Sequence, residues 1–106
     1  MTTMTVSILV KDHPDRTTRA IEFAEMALAN GFAISQVFFY QAGVQHASLP
    51  VADRWEALSA QYGMSLVLCS ASADRYSEEG NAAFSIGGLG ALVEAGIENE
   101  KVITFG

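Results

Sequence analysis

Short apolar stretches alternate with longer amphipathic stretches along this chain, and the alternation predicts strands and helices in turn. Four stretches of four to seven residues are apolar or β-branched and end at turn-forming or loop residues, which predicts strands at Thr5 to Val10, Ile34 to Tyr40, Ser65 to Cys69 and Val102 to Phe105. The second and third of these contain apolar runs with no polar alternation. Such runs are typical of strands that are covered on both faces in a parallel sheet.

The segment between the first two predicted strands has the clearest helical pattern. A helix is predicted from Thr17 to Asn30, with apolar residues at helical spacing at Ala20, Ile21, Phe23, Ala24, Ala27 and Leu28. Asp15, Thr17 or Thr18 is available as the N-cap residue, and Gly31 follows the predicted end.

A second helix is predicted between the second and third strands. Pro50 suits its first turn and Gly63 ends it. One stripe of this helix is expected to pack against the sheet; its members are Val51, Trp55, Leu58 and Tyr62.

The pattern is weaker after the third strand. The segment Ser70 to Phe84 is polar, so it is predicted to be either a loop or a short irregular helix. It ends in an apolar loop run, Ala82 to Phe84. A third helix is predicted from about Leu89 to Ala95, with Gly96 as its stop.

Strand centres about thirty residues apart are typical of βαβ units. A chain of 106 residues is long enough for one hydrophobic core and too short for two. We therefore predict a single α/β domain over residues 1–106, a three-layer α/β/α arrangement with a mostly parallel sheet of the flavodoxin-like or Rossmann-like kind.

Composition narrows the functional classes. Six Lys and Arg against twelve Asp and Glu give a net charge of −6, which argues against direct nucleic-acid binding. No apolar run approaches the roughly 18 residues of a membrane helix, and the first residues have no signal-peptide pattern, so we expect a soluble cytoplasmic protein with no membrane partner. The chain is 50% hydrophobic, which predicts an oligomer with apolar surface covered near the second helix or the Ala82 to Gly90 segment.

The chain has one cysteine, Cys69, which excludes an internal disulfide, and with two histidines it cannot form a zinc-finger ligand set. Ligands of open α/β sheets bind at the carboxyl ends of the strands. Three candidates lie there: the loop Lys11 to His13, the loop Gly43 to His46, and Cys69. Cys69 is interpreted either as a reactive thiol at a strand end or as a small buried residue.

We interpret the two histidines and the glycine-rich segment as structural features rather than as parts of a catalytic or ligand-binding site. A Cys–His pair would need a histidine held within hydrogen-bond reach, and we expect His13 and His46 to be solvated loop residues instead. The run Gly87 to Gly90 lacks the spacing and position of a dinucleotide or phosphate loop. Close packing of a helix or a subunit against it is predicted, with a phosphate-binding module as a further alternative.

Three segments together resemble the DsrE/TusD family of small sulfur-relay proteins. They are Val37 to Ala47, Leu68 to Ala71 and Gly88 to Ala95, in the family's order, and the resemblance extends over nearly the whole chain. It implies a DsrE-like sulfur-relay domain and no metal or organic cofactor. The family's persulfide cysteine, at the end of the third strand, matches Cys69, which is therefore the predicted catalytic residue.

The resemblance also implies partners. These are TusB/DsrH-like and TusC/DsrF-like subunits in a hetero-hexamer, or further copies in a homo-oligomer. A TusA-like protein would donate sulfur and a TusE/DsrC-like protein would accept it, in the 2-thiolation of the tRNA wobble uridine. The alternatives are a DsrE-like subunit in sulfur oxidation and a non-catalytic structural subunit.

The chain differs from the family pattern in two loops. The segment between Ala47 and the second helix and the segment Arg75 to Phe84 are both shorter than usual. Since they flank the expected site, partner recognition is affected more than chemistry. Arg75 lies where the family has basic residues, and it is a candidate for stabilising the thiolate.

Overall fold

Five strands form one parallel sheet in the computed structural model, which describes residues 5–13, 18–48, 50–80, 83–88 and 101–105. The strands are β1 (Thr5–Val10), β2 (Ala33–Phe39), β3 (Ser65–Cys69), β4 (Phe84–Gly87) and β5 (Lys101–Phe105). The helices of the described ranges are α1 (Arg19–Ala29), a 3-10 helix (Gln41–Ala47), α2 (Val51–Tyr62) and α3 (Ser70–Arg75). None of these helices is long and apolar enough to cross a membrane.

The strand order is β4-β3-β2-β1-β5, and every pair of neighbouring strands is parallel. The central register aligns Ile8 of β1 with Val37 of β2, and Val37 with Leu66 of β3. This arrangement confirms the predicted α/β architecture and its parallel sheet. It also brings the carboxyl ends of β1, β2 and β3 to one edge.

The core lies between the sheet and the helices α1 and α2, which contact each other. Val37 and Trp55 are fully buried there, because the apolar stripes of both helices meet the inward residues of the strands. Phe38 and Val67, partners in the β2–β3 register, belong to the opposite face and are buried as well. The interpretation of the apolar runs as strands covered on both faces is therefore confirmed.

Helix boundaries agree closely with the sequence signals. Thr18 occupies the N-cap position of α1, and Gly31 follows its end with a φ of 88°. Gly63 ends α2 with a φ of 78°, the left-handed conformation that glycine adopts without a steric penalty. The N-cap candidates Asp15 and Thr17, and the predicted helix from Leu89 to Ala95, lie outside the described residues.

Two expectations about apolar residues were wrong. Phe84 was assigned to a loop, but it begins β4 and is fully buried, with its ring 5.6 Å from that of Phe39. Tyr62 was expected on the buried stripe of α2, but its side chain is 43% exposed. The chain turns at Gly63 immediately after it, and Met64 is buried in the core.

Candidate active site

Cys69 is the last residue of β3 and the N-cap residue of α3, so it lies at the carboxyl edge of the sheet. Its backbone is extended, with φ −61° and ψ 125°, and the helix begins at the next residue. The side chain is partly exposed, which distinguishes it from the buried residues Leu66 and Leu68 of the same strand. A reactant from solvent therefore has access to the sulfur.

The surroundings of Cys69 favour the thiolate. Burial raises the pKa of the thiol, but the N–H and hydroxyl of Ser72 and the N–H of Ala71 favour the anion and lower it, and the net effect is a pKa below the ordinary value. These donors belong to the first turn of α3, whose N–H groups have no partner within the helix. Arg75 is exposed at the end of α3, and it is not among the groups that lower this pKa.

The segment after β2 forms the 3-10 helix instead of an open loop. The N–H of Gly43 donates to the carbonyl of Lys11 at 2.8 Å, and a Cβ at Gly43 would lie only 2.1 Å from the carbonyl oxygen of Val10. Only glycine permits this approach. The 3-10 helix is therefore packed directly on the carboxyl end of β1.

His46 lies at the centre of this packing and is fully buried, so the expectation of a solvated loop residue was wrong. The indole N–H of Trp55 donates to Nδ1 at 3.1 Å. Nε2 lies 3.1 Å from the carbonyl oxygen of Asp12, an acceptor, so Nε2 carries the proton. These two bonds make the burial of an imidazole possible, since each ring nitrogen has a partner.

Burial is the main reason why the pKa of His46 is lowered to about 4; the Asp12 carbonyl opposes the shift, and the electrostatic interaction with His13 adds to it. The ring is therefore neutral at pH 7 and both of its nitrogens are engaged. It is not available as a base for Cys69, which removes the Cys–His alternative for His46. His13 is only partly buried in the segment after β1.

The segments after β2 and β3 are joined twice. The N–H of Gln41 donates to Oγ of Ser72 at 2.8 Å, and the Ser48 hydroxyl donates to Oε1 of Glu78 at 2.7 Å. The three candidate segments thus meet at one edge of the sheet, as predicted. Ser72 was not among the predicted site residues, although a hydroxyl three residues after a candidate N-cap is a recognisable signal.

A separate apolar groove of about 560 Å³ lies between α1 and β5, near the amino ends of β1 and β2. Its lining residues are Val6, Phe23, Met26, Ala27, Asn30, Phe32 and Ile103. Cys69 does not line it. At Gly88, an added Cβ would meet no atom of the described residues within 4 Å, and the packing of a helix or a subunit against the glycine-rich run stays a prediction.

The fold and the site together define the class: a parallel α/β protein with a partly exposed, thiolate-favouring cysteine at the carboxyl end of an inner strand. Comparison with known proteins identifies the family. The profile of the DsrE/DsrF-like family matches residues 4–105, and the chain belongs to this family.

A relative and a solved structure agree with this assignment. The chain is 34% identical over 110 aligned positions to the Allochromatium vinosum protein named "Putative sulfurtransferase DsrE", with 82% of this chain and 85% of that protein covered. The crystal structure of the ychN protein from E. coli superimposes with a TM-score of 0.78, covering 96% of this chain and 99% of that one. At 14% identity, that likeness concerns the fold.

Proposed function

We propose that this protein is a sulfurtransferase in which Cys69 accepts a sulfane sulfur as a persulfide and passes it to a partner protein. The observation that carries the proposal is the position of the chain's only thiol, partly exposed at the carboxyl edge of the sheet with donors that favour its thiolate. Membership of the DsrE/DsrF-like family and the sulfurtransferase name of the Allochromatium vinosum relative support it.

The chemistry needs one thiolate on each protein. The Cys69 thiolate attacks the outer sulfur of a donor persulfide, a new S–S bond forms at Cys69, and the donor's own S–S bond breaks. The donor cysteine leaves as a thiolate, and the terminal sulfur keeps the proton or releases it to water. No net oxidation occurs, and the same exchange in the next step moves the sulfur to an acceptor cysteine and restores the Cys69 thiolate.

The donor and acceptor follow from the family resemblance. We propose a TusA-like donor and a TusE/DsrC-like acceptor, with TusB/DsrH-like and TusC/DsrF-like subunits or further copies of this chain as the assembly partners. The proposed destination of the sulfur is 2-thiolation of the tRNA wobble uridine. A DsrE-like role in sulfur oxidation is the alternative, and transfer to a DsrC-like but not a TusE-like acceptor would favour it.

The test is sulfur loading followed by intact-mass spectrometry. After incubation with a cysteine desulfurase, cysteine and a TusA-like carrier, the wild type is expected to gain the mass of one sulfur atom and Cys69→Ser none. Serine is nearly isosteric, but its hydroxyl remains protonated at neutral pH and forms no persulfide. The matched control Ser70→Ala changes the neighbouring, exposed hydroxyl and should load normally.

Two results would contradict the proposal. The first is a wild type that never gains sulfur although the carrier is demonstrably loaded, and the second is a Cys69→Ser variant that still gains it. Either result would favour a non-catalytic subunit of the same kind of assembly.

A further inference from the structure

Ser72 occupies a bridging position between Cys69 and the 3-10 helix. It lies three residues after Cys69, in the first turn of α3, and its side chain is partly buried. Its Oγ accepts the N–H of Gln41 at 2.8 Å, a bond between residues 31 apart in the sequence. Gln41 adopts a left-handed backbone with a φ of 51°, a conformation that is uncommon for a residue other than glycine.

The hydrogen bond from Gln41 leaves the Ser72 hydroxyl able to donate its proton to another group. A serine hydroxyl has one proton to donate and lone pairs that accept. The Gln41 N–H uses the accepting side, so the proton remains available to a second group. Ser72 is the third residue after the N-cap residue Cys69, the position whose side chain faces that of the N-cap in a capping box, and its hydroxyl is among the groups that favour the thiolate.

We propose that Ser72 is a positioning residue for Cys69: the Gln41 N–H orients the Ser72 hydroxyl so that its proton is donated to the Cys69 thiolate. This inference rests on the proposed function, because a stabilised thiolate matters where sulfur is exchanged. A hydrogen bond to the ionised sulfur increases the fraction of thiolate at neutral pH, and it makes Cys69 a better leaving group when the persulfide is passed on.

Among the described residues, charged groups are not what lowers the pKa of Cys69. The titratable side chains described on the surrounding elements are Asp74 and Arg75 on α3, Tyr76, Glu78 and Glu79 after it, Tyr40 after β2, His46 in the 3-10 helix, and Lys11, Asp12 and His13 after β1. The groups that lower the pKa of Cys69 are the uncharged donors of Ser72 and Ala71. Of these donors, only the Ser72 hydroxyl can be removed by a side-chain substitution.

The experiment measures the rate of Cys69 alkylation by iodoacetamide between about pH 6 and pH 10. The chain has a single cysteine, so the midpoint of this profile reports the Cys69 thiolate directly. Ser72→Ala is expected to move the midpoint up by roughly half to one pH unit, the size expected for one partly exposed hydrogen bond to an anion. Sulfur loading near pH 7 should slow accordingly and recover at higher pH.

A matched pair of variants separates the hydroxyl from the shape of the side chain. Ser72→Thr keeps the hydroxyl and should titrate like the wild type, whereas Ser72→Val has the same shape without the hydroxyl and should titrate like Ser72→Ala. Ser70→Ala removes a hydroxyl from the exposed start of α3 and should leave the midpoint unchanged. If Ser72→Ala does not fold, the Thr and Val variants decide the question.

An unchanged midpoint in Ser72→Ala and Ser72→Val would overturn the inference and leave Ser72 with a purely structural role. Equal shifts in Ser72→Thr and Ser72→Val would overturn it too, because the hydroxyl would then not be the cause. A shifted midpoint in a protein that never loads sulfur would instead contradict the proposed function, while the role of Ser72 at the thiolate would stand.

Discussion

The buried imidazole of His46 makes the stability of this protein sensitive to acid. The folded chain holds His46 with a pKa of about 4, whereas an unfolded chain titrates near 6.5. Between these values the unfolded chain binds a proton that the folded chain does not, so the free energy of unfolding falls as the pH falls. A proton on Nδ1 would also remove the acceptor of the Trp55 N–H.

We expect this one residue to cost on the order of 3 kcal/mol of stability between about pH 6.5 and pH 4. Chemical denaturation at a series of pH values measures the loss. His46→Asn does not titrate and should show a flatter profile over this range, whatever its stability at pH 7. His13→Asn, at the other and partly exposed histidine, should keep most of the slope; equal slopes in the wild type and His46→Asn would contradict the assignment.

The functional importance of a cysteine likewise depends on its surroundings. The sequence pattern predicted Cys69 at the end of a strand, and the structure confirms this prediction. The Gln41–Ser72 bond next to it was not predictable, because it joins segments 31 residues apart. The role of Cys69 as sulfur acceptor stays a prediction until loading is measured.

At the scale of elements, the contact between the 3-10 helix and β1 is the most sensitive to substitution. Gly43→Ala would place a Cβ against the backbone of Val10, where neither partner has a flexible side chain to move. We expect a loss of about 2 kcal/mol or more in the free energy of unfolding, measured by denaturant titration. The 3-10 helix also contacts α3, whose first turn favours the Cys69 thiolate. Slower alkylation of Cys69 should therefore accompany the loss of stability.

Gly88→Ala is the matched control for this substitution. Gly88 is exposed, and an added Cβ meets no atom of the described part of the chain within 4 Å, so the change in stability should stay within about 0.5 kcal/mol. Equal stability losses in both variants would show that the contact with β1 is not what requires glycine at position 43.

At the scale of the whole molecule, exposed apolar side chains lie on both edge strands. Ile86 of β4 is 47% exposed and Val102 of β5 is 40% exposed, and edge strands present backbone groups without partners in the sheet. Ile86 lies within the Ala82 to Gly90 segment, which the apolar composition predicts to be covered by other subunits. An assembly that covers β4 would bury this residue.

We therefore expect light scattering at micromolar concentration to give a mass above the 11.3 kDa of one chain. Ile86→Lys should reduce that mass, because a charge in a buried interface is costly. Ala29→Lys introduces the same charge at an exposed residue of α1 that does not line the apolar groove, and it should leave the mass unaltered. A wild type with the mass of a single chain would contradict the prediction.

Local patterns in the sequence were sufficient to predict the strands β1, β2, β3 and β5, the helices α1 and α2, and the position of Cys69 at the carboxyl edge of the sheet. These features depend on the spacing of apolar residues and on the strand–helix alternation, both of which lie within about thirty residues of chain. The edge strand β4 was missed because four residues carry too little periodicity, and its place in the sheet follows from the contact of Phe84 with the aromatic core.

Tertiary structure alone decided the surroundings of the site. The burial of His46 depends on Trp55 and on the Asp12 carbonyl, 34 residues away, and the requirement for Gly43 comes from the backbone of β1. The bond from Gln41 to Ser72 likewise exists only because the parallel sheet brings the ends of β2 and β3 together. Such contacts leave no periodic trace in a single sequence, since each depends on where distant backbone groups come to lie once the sheet has formed.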